Sequence, residues 1–335
     1  MILRRPLRPC VFCPFLRRRF ERRLRVTCCV AALCDAGNTL ILVSDRMFTT
    51  WGIQSELEIN KCRVLSSHWW VQFAGEDISP VFDILDWTRE QLTQKCTQSS
   101  TPSDSIPVEW VIEALKKSYE RKRLRTAESL YLNPIGWNVS SFNDKGSNKL
   151  PDFLEMKNKI ATHSLGLDFL VGGFSNGQGF LFSIGPALQG VLDTRHDIPG
   201  FHSIGSGSHG ANYMLWYREV TYNMQARRAL YYVMEAKLFG ELVGDVSEGT
   251  DVFVATPDGR LKQLNEDESV EKKLVRVWEK LKPRWIQRES ADILNSISEL
   301  AGFPLIETDD DGDPFPKRKS KQSPQEPVVT TPGQS

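Results

Sequence analysis

Apolar and polar residues near the start of the chain follow a pattern that predicts β-strands. The apolar run over residues 26–43 is interrupted only around the turn sequence DAGN at 35–38, which favours a hairpin. Two further strands are predicted at 62–65 and 69–73, where apolar, aromatic and β-branched residues concentrate. Four strands are therefore expected before any helix.

The spacing of apolar residues then changes to that of helices. Ser79 is a candidate cap, Pro80 suits the first helical position, and apolar residues at three- and four-residue intervals continue to Leu92. A second amphipathic helix is predicted over 108–119. Residues 123–163 are polar and rich in Asn, and they predict an insertion of loops with one short helix.

The second half of the chain predicts two strands around a turn at 175–177, then a strand that enters a glycine-serine loop and a helix. A helix over about 224–239 and the strand TDVFVATPDG follow. Because strands and helices do not alternate regularly, the order indicates an α+β fold rather than a doubly wound parallel sheet. We expect one domain over 27–265, short C-terminal helices within 266–304 and a disordered tail over 305–335.

The charge distribution separates an arginine-rich leader from an acidic body. Residues 1–25 hold nine arginines, no lysine and one acid, which leaves 33 basic and 41 acidic residues, a net charge of −8. A body of that sign would repel phosphates, so we expect no nucleic-acid partner. No apolar run reaches the length of about 18 residues that a membrane span needs, so we expect no membrane insertion and a cytoplasmic location.

The cysteine and histidine patterns argue against disulfides and metals. None of the seven cysteines falls in the last 239 residues, which favours a reducing compartment. The single C-x-x-C at Cys10 and Cys13 has no second pair at zinc spacing, and the five histidines form no metal-like motif. We therefore expect no metal and no cofactor.

Several blocks of the chain resemble the proteasome-type N-terminal nucleophile hydrolases, a family that includes proteasome β subunits, HslV and Anbu. The blocks are TCCVAALCDAGNTLILVSDR, NKCRVL, FAGEDISPVFDIL, LVGGFSNGQGFLFSIGPALQGVL and IGSGSHGANYML. They cover about 27–95 and 166–260, and the intervals of 16 residues from Asp45 to Lys61 and 14 from Lys61 to Gly75 resemble those of β subunits. The resemblance implies a four-layer αββα sandwich, a peptide or protein substrate, and a homo-oligomeric ring or open spiral; it leaves any unfoldase partner undetermined.

The same resemblance implies roles for five residues. Thr27 would be the first residue of the working chain, with its hydroxyl as nucleophile and its free α-amine as base, because a hydroxyl is a weak nucleophile without one. Lys61 would lower the pKa of both groups as a nearby cation, and Asp45 would hold Lys61 in place. The Gly75 backbone N–H would stabilise the oxyanion, and Ser206 would hydrogen-bond the α-amine.

The resemblance also carries over binding residues and two further polar residues. The backbone of Thr49 would pair with an extended substrate. The side chains facing the first specificity pocket would be Ile59, Arg63, Phe73, Asp77 and Val81. The stretch GDVSEGTD supplies Asp245 and Ser247 as equivalents of the family's conserved acid and serine, in a register defined to within one residue.

An N-terminal nucleophile cannot act while 26 residues precede it, and three explanations remain open. The chain could cleave itself before Thr27, translation could start at Val26 through a GTG codon, or the leader could be a transit peptide. The Arg-rich, Lys-free leader favours the second explanation.

The same residues can also be interpreted as having only structural roles, which leaves other functions open. Thr27 alone would be an ordinary strand residue, Asp45 and Lys61 a surface pair, and Ser206 a helix cap. A catalytically silent subunit with an assembly or binding role, and a small-molecule amidase of the wider N-terminal nucleophile group, therefore stand beside the predicted threonine peptidase.

Overall fold

A computed structural model of the chain describes residues 27–50, 53–56, 60–75, 77–149, 152–241, 249–264, 272–273 and 276. They belong to one compact unit, Met1–Val277. The leader over 1–26, the tail over 305–335 and nearly all of the expected C-terminal helices lie outside the described residues. No described helix is both long and apolar enough to cross a membrane.

The described residues form a mixed α+β fold with twelve strands. They are β1 (Cys29–Cys34), β2 (Thr39–Asp45), β3 (Met47–Thr50), β4 (Ile53–Glu56), β5 (Cys62–Ser66), β6 (Trp69–Gly75), β7 (Leu167–Ser175), β8 (Gln178–Pro186), β9 (Val191–Arg195), β10 (Phe201–Ile204), β11 (Thr250–Ala255) and β12 (Leu261–Gln263). The predicted strand pairs are confirmed, but six strands rather than four precede the first helix, because β3 and β4 form an additional hairpin.

Ten of the strands make two antiparallel five-stranded sheets. The first has the order β10-β1-β2-β11-β12 and the second β5-β6-β7-β8-β9. The turn between β7 and β8 places Asn176 and Gly177 at positive φ, 50° and 79°, which is the turn chemistry that an Asn-Gly pair supplies.

Six α-helices occur in the described part of the chain. They are α1 (Ser79–Ser99), α2 (Val108–Ala127), α3 (Val139–Lys149), α4 (Phe153–Thr162), α5 (Ser208–Tyr217) and α6 (Ala226–Glu241). The predicted helices α1 and α2 are confirmed, although the residue that caps α1 is Ile78 and not Ser79. Ser79 instead donates its backbone N–H to the carboxylate of Asp77 at 3.0 Å.

The prediction that residues 123–163 are mainly loops is wrong. Helix α2 continues through Arg123 to Ala127, and α3 and α4 follow it. The rings of Phe142 and Phe153 stack with centroids 4.8 Å apart, and Phe142 is buried. Burial of these few large apolar side chains stabilises helices whose overall composition is polar.

Two apolar cores pack against the two faces of the second sheet. One core joins the facing sides of the two sheets and includes Cys29, Leu42, Trp70 and Leu170. The other lies between the second sheet and the helices α1 and α2. Four strand ends lie together at one end of the first sheet: the beginnings of β1 and β11 and the ends of β2 and β10. Cys29 pairs there with Ser44 and Ile204, and Asp45 pairs with Thr250.

Candidate functional site

Thr27 lies two residues before β1, and the loop between β10 and α5 forms hydrogen bonds with both its backbone N–H and its carbonyl. The Thr27 backbone N–H donates to the hydroxyl of Ser206 at 2.9 Å. Its carbonyl accepts the backbone N–H of Gly207 at 3.1 Å. Ser206 therefore contacts the Thr27 nitrogen itself. That nitrogen is a peptide amide in the full chain and would be a free α-amine in a chain that begins at Thr27.

The approach of this loop depends on Gly205. Gly205 has φ +92°, and a Cβ there would overlap the carbonyl oxygen of Thr27 and lie 3.3 Å from the Cβ of Ala74. A side chain would thus be strained by the backbone and would push Thr27 away. The first glycine of the sequence GSG therefore allows the loop after β10 to lie close to Thr27, although the two segments are far apart in the chain.

A buried ion pair lies on the other side of Thr27. Lys61 Nζ is 2.6 Å from Asp45 Oδ1, and the two side chains are 2% and 0% exposed. The same Lys61 Nζ is 3.5 Å from Thr27 Oγ1. The Cys28 backbone N–H donates to Asp45 Oδ1 at 3.3 Å. Asp45 therefore aligns both the lysine and the segment that carries the threonine.

Gly75 ends β6 at the same end of the two facing sheets. It pairs with Leu167 of β7, and a Cβ there would lie 2.5 Å from Leu167 Cδ2 and 2.7 Å from the carbonyl of Gly166. The structure thus links Ser206, Thr27, Lys61 and Asp45 in a row of hydrogen bonds. Gly75 is adjacent in the chain to Ala74, which faces Gly205 of the loop that holds Thr27.

The two cysteines that follow Thr27 are poor candidates for the nucleophile. Cys28 and Cys29 are fully buried. Burial raises the pKa of the Cys28 thiol far above its usual range and the pKa of the Cys29 thiol to about 12. Because the thiolate is the reactive form of cysteine, the threonine hydroxyl is the accessible nucleophile in this segment.

The binding residues expected from the resemblance occupy different surroundings. Thr49 lies in β3 and pairs with Gln54 of β4. Phe73 and Val81 are fully buried in the core beneath α1 and α2. The guanidinium of Arg63 lies 5.9 Å from the centre of the Phe82 ring, and the Asp77 carboxylate accepts the Ser79 backbone N–H. Ile59, Asp245 and Ser247 lie outside the described residues.

Lys237 of α6 is a second buried lysine near the site, and the sequence analysis missed it. Its side chain has no exposed surface, and its Nζ donates to Thr250 Oγ1 at 2.6 Å. Thr250 pairs with Asp45 across β11 and β2. The signal was present in the sequence, because Lys237 continues the four-residue spacing of the buried residues Ala229 and Val233.

Comparison with known proteins gave no relative from which function can be transferred. The chain matches no protein-family model and has no significant match among curated proteins. The arrangement of residues around Thr27 therefore carries the functional argument.

Proposed function

We propose that this chain is a proteasome-type threonine hydrolase that cleaves amide bonds in peptides or proteins, with Thr27 as its N-terminal residue. The observation that carries the proposal is the convergence of Ser206 on the Thr27 nitrogen and of Lys61 on Thr27 Oγ1. A hydroxyl acceptor beside the nitrogen and a cation beside the oxygen are the environment that a bifunctional N-terminal threonine requires.

The first half of the reaction transfers the acyl group to the threonine. Thr27 Oγ attacks the substrate carbonyl carbon while its proton passes to the α-amine. The new C–O bond gives a tetrahedral oxyanion, which the Gly75 backbone N–H would stabilise; one such donor is worth about 3 kcal/mol. The C–N bond then breaks, and the ammonium returns the proton to the departing amine.

The second half releases the acyl group. Water attacks the ester carbonyl, giving one proton to the α-amine, and the C–O bond to Thr27 breaks as that proton returns to Oγ. Lys61 stabilises the developing negative charge on Oγ1 in both halves, because an opposite charge within hydrogen-bond distance favours the charged form. Asp45 keeps the Lys61 ammonium directed at this position.

The fold proposed with this activity is a four-layer αββα sandwich. It is supported by the apolar core between the two sheets, by α1 and α2 against the outer side of the second sheet, and by the contacts of α5 and α6 with β10, β1 and β2. We propose a homo-oligomer in the cytoplasm as the working form. The aromatic side chains Tyr213, Trp216 and Tyr217 on α5 support association, since they are 59%, 62% and 49% exposed.

The decisive experiment exposes the amine of Thr27. Two forms of the protein are prepared, one that begins at Thr27 through a cleavable fusion and one that keeps residues 1–26. Both are treated with a peptide epoxyketone, which needs the hydroxyl and the free amine together. We expect a covalent adduct on Thr27, located by intact mass and peptide mapping, only in the form that begins at Thr27, and turnover of quenched fluorescent peptides by the same form.

Control proteins separate the alternatives. Thr27→Ala, beginning at residue 27, should give neither adduct nor turnover, whereas Thr27→Ser should keep both. Absence of an adduct and of turnover in the folded wild-type form would overturn the proposal in favour of a silent subunit. Turnover of small amides without turnover of peptides would assign the chain to the small-molecule amidases. The intact mass of protein from the native gene shows whether residues 1–26 are present in the working form.

A further inference from the structure

A cavity of about 330 Å³ opens next to the loop between β10 and α5 that holds the backbone of Thr27. Its walls come from the second sheet through Asp168 and Ser183, from β10 through His202, and from the start of α5 through Ser208 and Asn212. Gly205 lines the same cavity and abuts the Thr27 carbonyl. The cavity and the proposed nucleophile therefore share one wall.

The strand order defines which part of a substrate would reach this cavity. In the first sheet β1 lies between β2 and β10. Asp45 ends β2, and β3, which contains Thr49, begins two residues later. The cavity is on the opposite side of β1, next to β10. If the acyl part of an extended substrate pairs beside β3, the residue after the scissile bond must continue toward β10 and this cavity.

The chemistry of the walls favours a positively charged group that donates hydrogen bonds. The Asp168 carboxylate is half-buried in the cavity wall, and none of the described residues that line the cavity is a lysine or an arginine. Asn212 Oδ1 is buried and has no hydrogen-bond partner among the described residues. Ser183, Thr194 and Ser208 add hydroxyl oxygens, so acceptors predominate.

Two histidines line the cavity, His202 and His209, and the half-buried His202 does not compete with a cation. Burial lowers the pKa of His202 to about 4, so its imidazole is neutral near pH 7 and can accept a hydrogen bond. The His196 ring stacks on it with centroids 3.7 Å apart, and His196 is in turn bonded to the Ser183 hydroxyl at 2.8 Å. Burial also raises the pKa of Asp168, and an incoming cation would oppose that rise by stabilising the carboxylate.

We propose that this cavity binds the side chain of the residue that follows the scissile bond and selects lysine or arginine there through Asp168. The inference rests on the proposed hydrolase function and names the leaving-group specificity of that site. Asp168 is the residue that determines the preference, while the hydroxyls of Ser183, Thr194 and Ser208 complete the hydrogen bonds of the bound ammonium or guanidinium.

The test compares quenched fluorescent peptides that differ only at the residue after the scissile bond. Protein that begins at Thr27 is assayed with arginine, citrulline, alanine and glutamate at that position. We expect kcat/KM for arginine to exceed that for citrulline, its nearly isosteric neutral analogue, by about tenfold, because a hydrogen bond to a charged group discriminates by that order. Glutamate should be the poorest substrate.

The variant Asp168→Asn should remove most of the arginine preference, measured as the ratio of kcat/KM for the arginine peptide to kcat/KM for the citrulline peptide. Asp193→Asn is the matched control, because Asp193 pairs with Lys116 and does not line the cavity; it should keep the preference. Thermal unfolding verifies that both variants are folded. The comparison of arginine with citrulline needs no variant, and a missing arginine preference would overturn the proposal even if Asp168→Asn does not fold.

Failure of this inference is distinguishable from failure of the proposed function. An epoxyketone occupies only the acyl side of the site, so its adduct on Thr27 reports the hydrolase function independently of the cavity. An adduct and alanine-peptide turnover without an arginine preference, or with a preference that survives Asp168→Asn, would overturn the cavity assignment alone. Absence of both adduct and turnover would overturn the two proposals together.

Discussion

At the scale of single residues, one carboxylate oxygen organises the surroundings of Thr27. Asp45 Oδ1 accepts hydrogen bonds from Lys61 Nζ and from the Cys28 backbone N–H. Both charged side chains are buried, and removing charges from water is costly unless each keeps its partner. The position of the lysine ammonium is therefore defined by Asp45, and Thr27 Oγ1 lies next to it.

Substitutions in the Asp45–Lys61 ion pair can distinguish its contribution to stability from its contribution to activity. Lys61→Met should lower the free energy of unfolding by about 3–5 kcal/mol, because it leaves Asp45 buried without its cation. The double variant Asp45→Asn/Lys61→Met should recover most of that loss, since it removes both buried charges. Both variants should be inactive in protein that begins at Thr27. Urea unfolding and peptide turnover measure the two effects, and an active double variant would contradict the role given to Lys61.

Gly205 provides a second test at this scale. Gly205→Ala should reduce turnover by at least about tenfold, because the new methyl group would overlap the Thr27 carbonyl and displace the proposed nucleophile. Gly177→Ala is the matched control: Gly177 also has positive φ, +79°, but a Cβ there meets nothing within 4 Å. The control should cost about 1–2 kcal/mol of backbone strain and keep full activity. Equal activities of the two variants would show that the approach of Gly205 to Thr27 is dispensable.

At the scale of secondary structure, Arg123 anchors the helices of the 123–163 region. Its guanidinium donates to the backbone carbonyls of Ile160, Ala161 and His163 at 2.7, 3.3 and 3.2 Å. It also pairs with Glu120 of its own helix at 2.6 Å. One residue of α2 thereby donates hydrogen bonds to three carbonyls at the end of α4. These hydrogen bonds replace the backbone partners that the last carbonyls of a helix lack.

Replacing this anchor should release α4 selectively. Arg123→Met should speed amide hydrogen exchange over residues 153–162 while exchange in the strands β6, β7 and β8 stays slow, because local opening needs only the loss of these contacts. Arg125→Met is the control on the same helix, since its exposed guanidinium lies over the Trp87 ring and contacts no carbonyl of α4. Unchanged exchange over 153–162 in Arg123→Met would refute the anchoring role.

At the scale of the whole described unit, a stacked histidine pair joins the two sheets. His196 binds the second sheet, donating its backbone N–H to the Leu181 carbonyl at 2.7 Å. His202 belongs to β10 of the first sheet. Burial lowers the pKa of both imidazoles from 6.5 to about 4, and for His196 the neighbouring His202 adds to the effect. The folded chain therefore favours two neutral rings at this contact.

The pair should make stability sensitive to mild acid. The unfolded chain binds protons at these histidines below about pH 6.5, whereas the folded chain resists protonation until about pH 4, so the free energy of unfolding should fall as the pH decreases between these values. His196→Asn/His202→Asn should flatten the fall, measured by urea unfolding along a pH series. His209→Gln, which alters an exposed side chain, should not. Equal pH dependence in all three proteins would contradict the assignment.

The parts of this protein that the sequence determined are those encoded over short distances. The hairpin of β1 and β2, the helices α1 and α2, and the Asn-Gly turn between β7 and β8 follow from apolar periodicity and turn chemistry. Thr27 became the candidate nucleophile through the family resemblance, which the intervals between Asp45, Lys61 and Gly75 and the sequence GSG at 205–207 support.

Only the tertiary structure decided the features that depend on contacts between distant segments. Helices α3 and α4 form because buried side chains and Arg123 stabilise a polar sequence, and the buried charge of Lys237 is placed by α6 against β11. The cavity at Asp168 exists because the beginnings of β7 and α5 meet the ends of β8 and β10, although these elements are far apart in the chain. Local sequence patterns do not predict that these distant segments meet, because the segments are brought together only when the two sheets pack face to face.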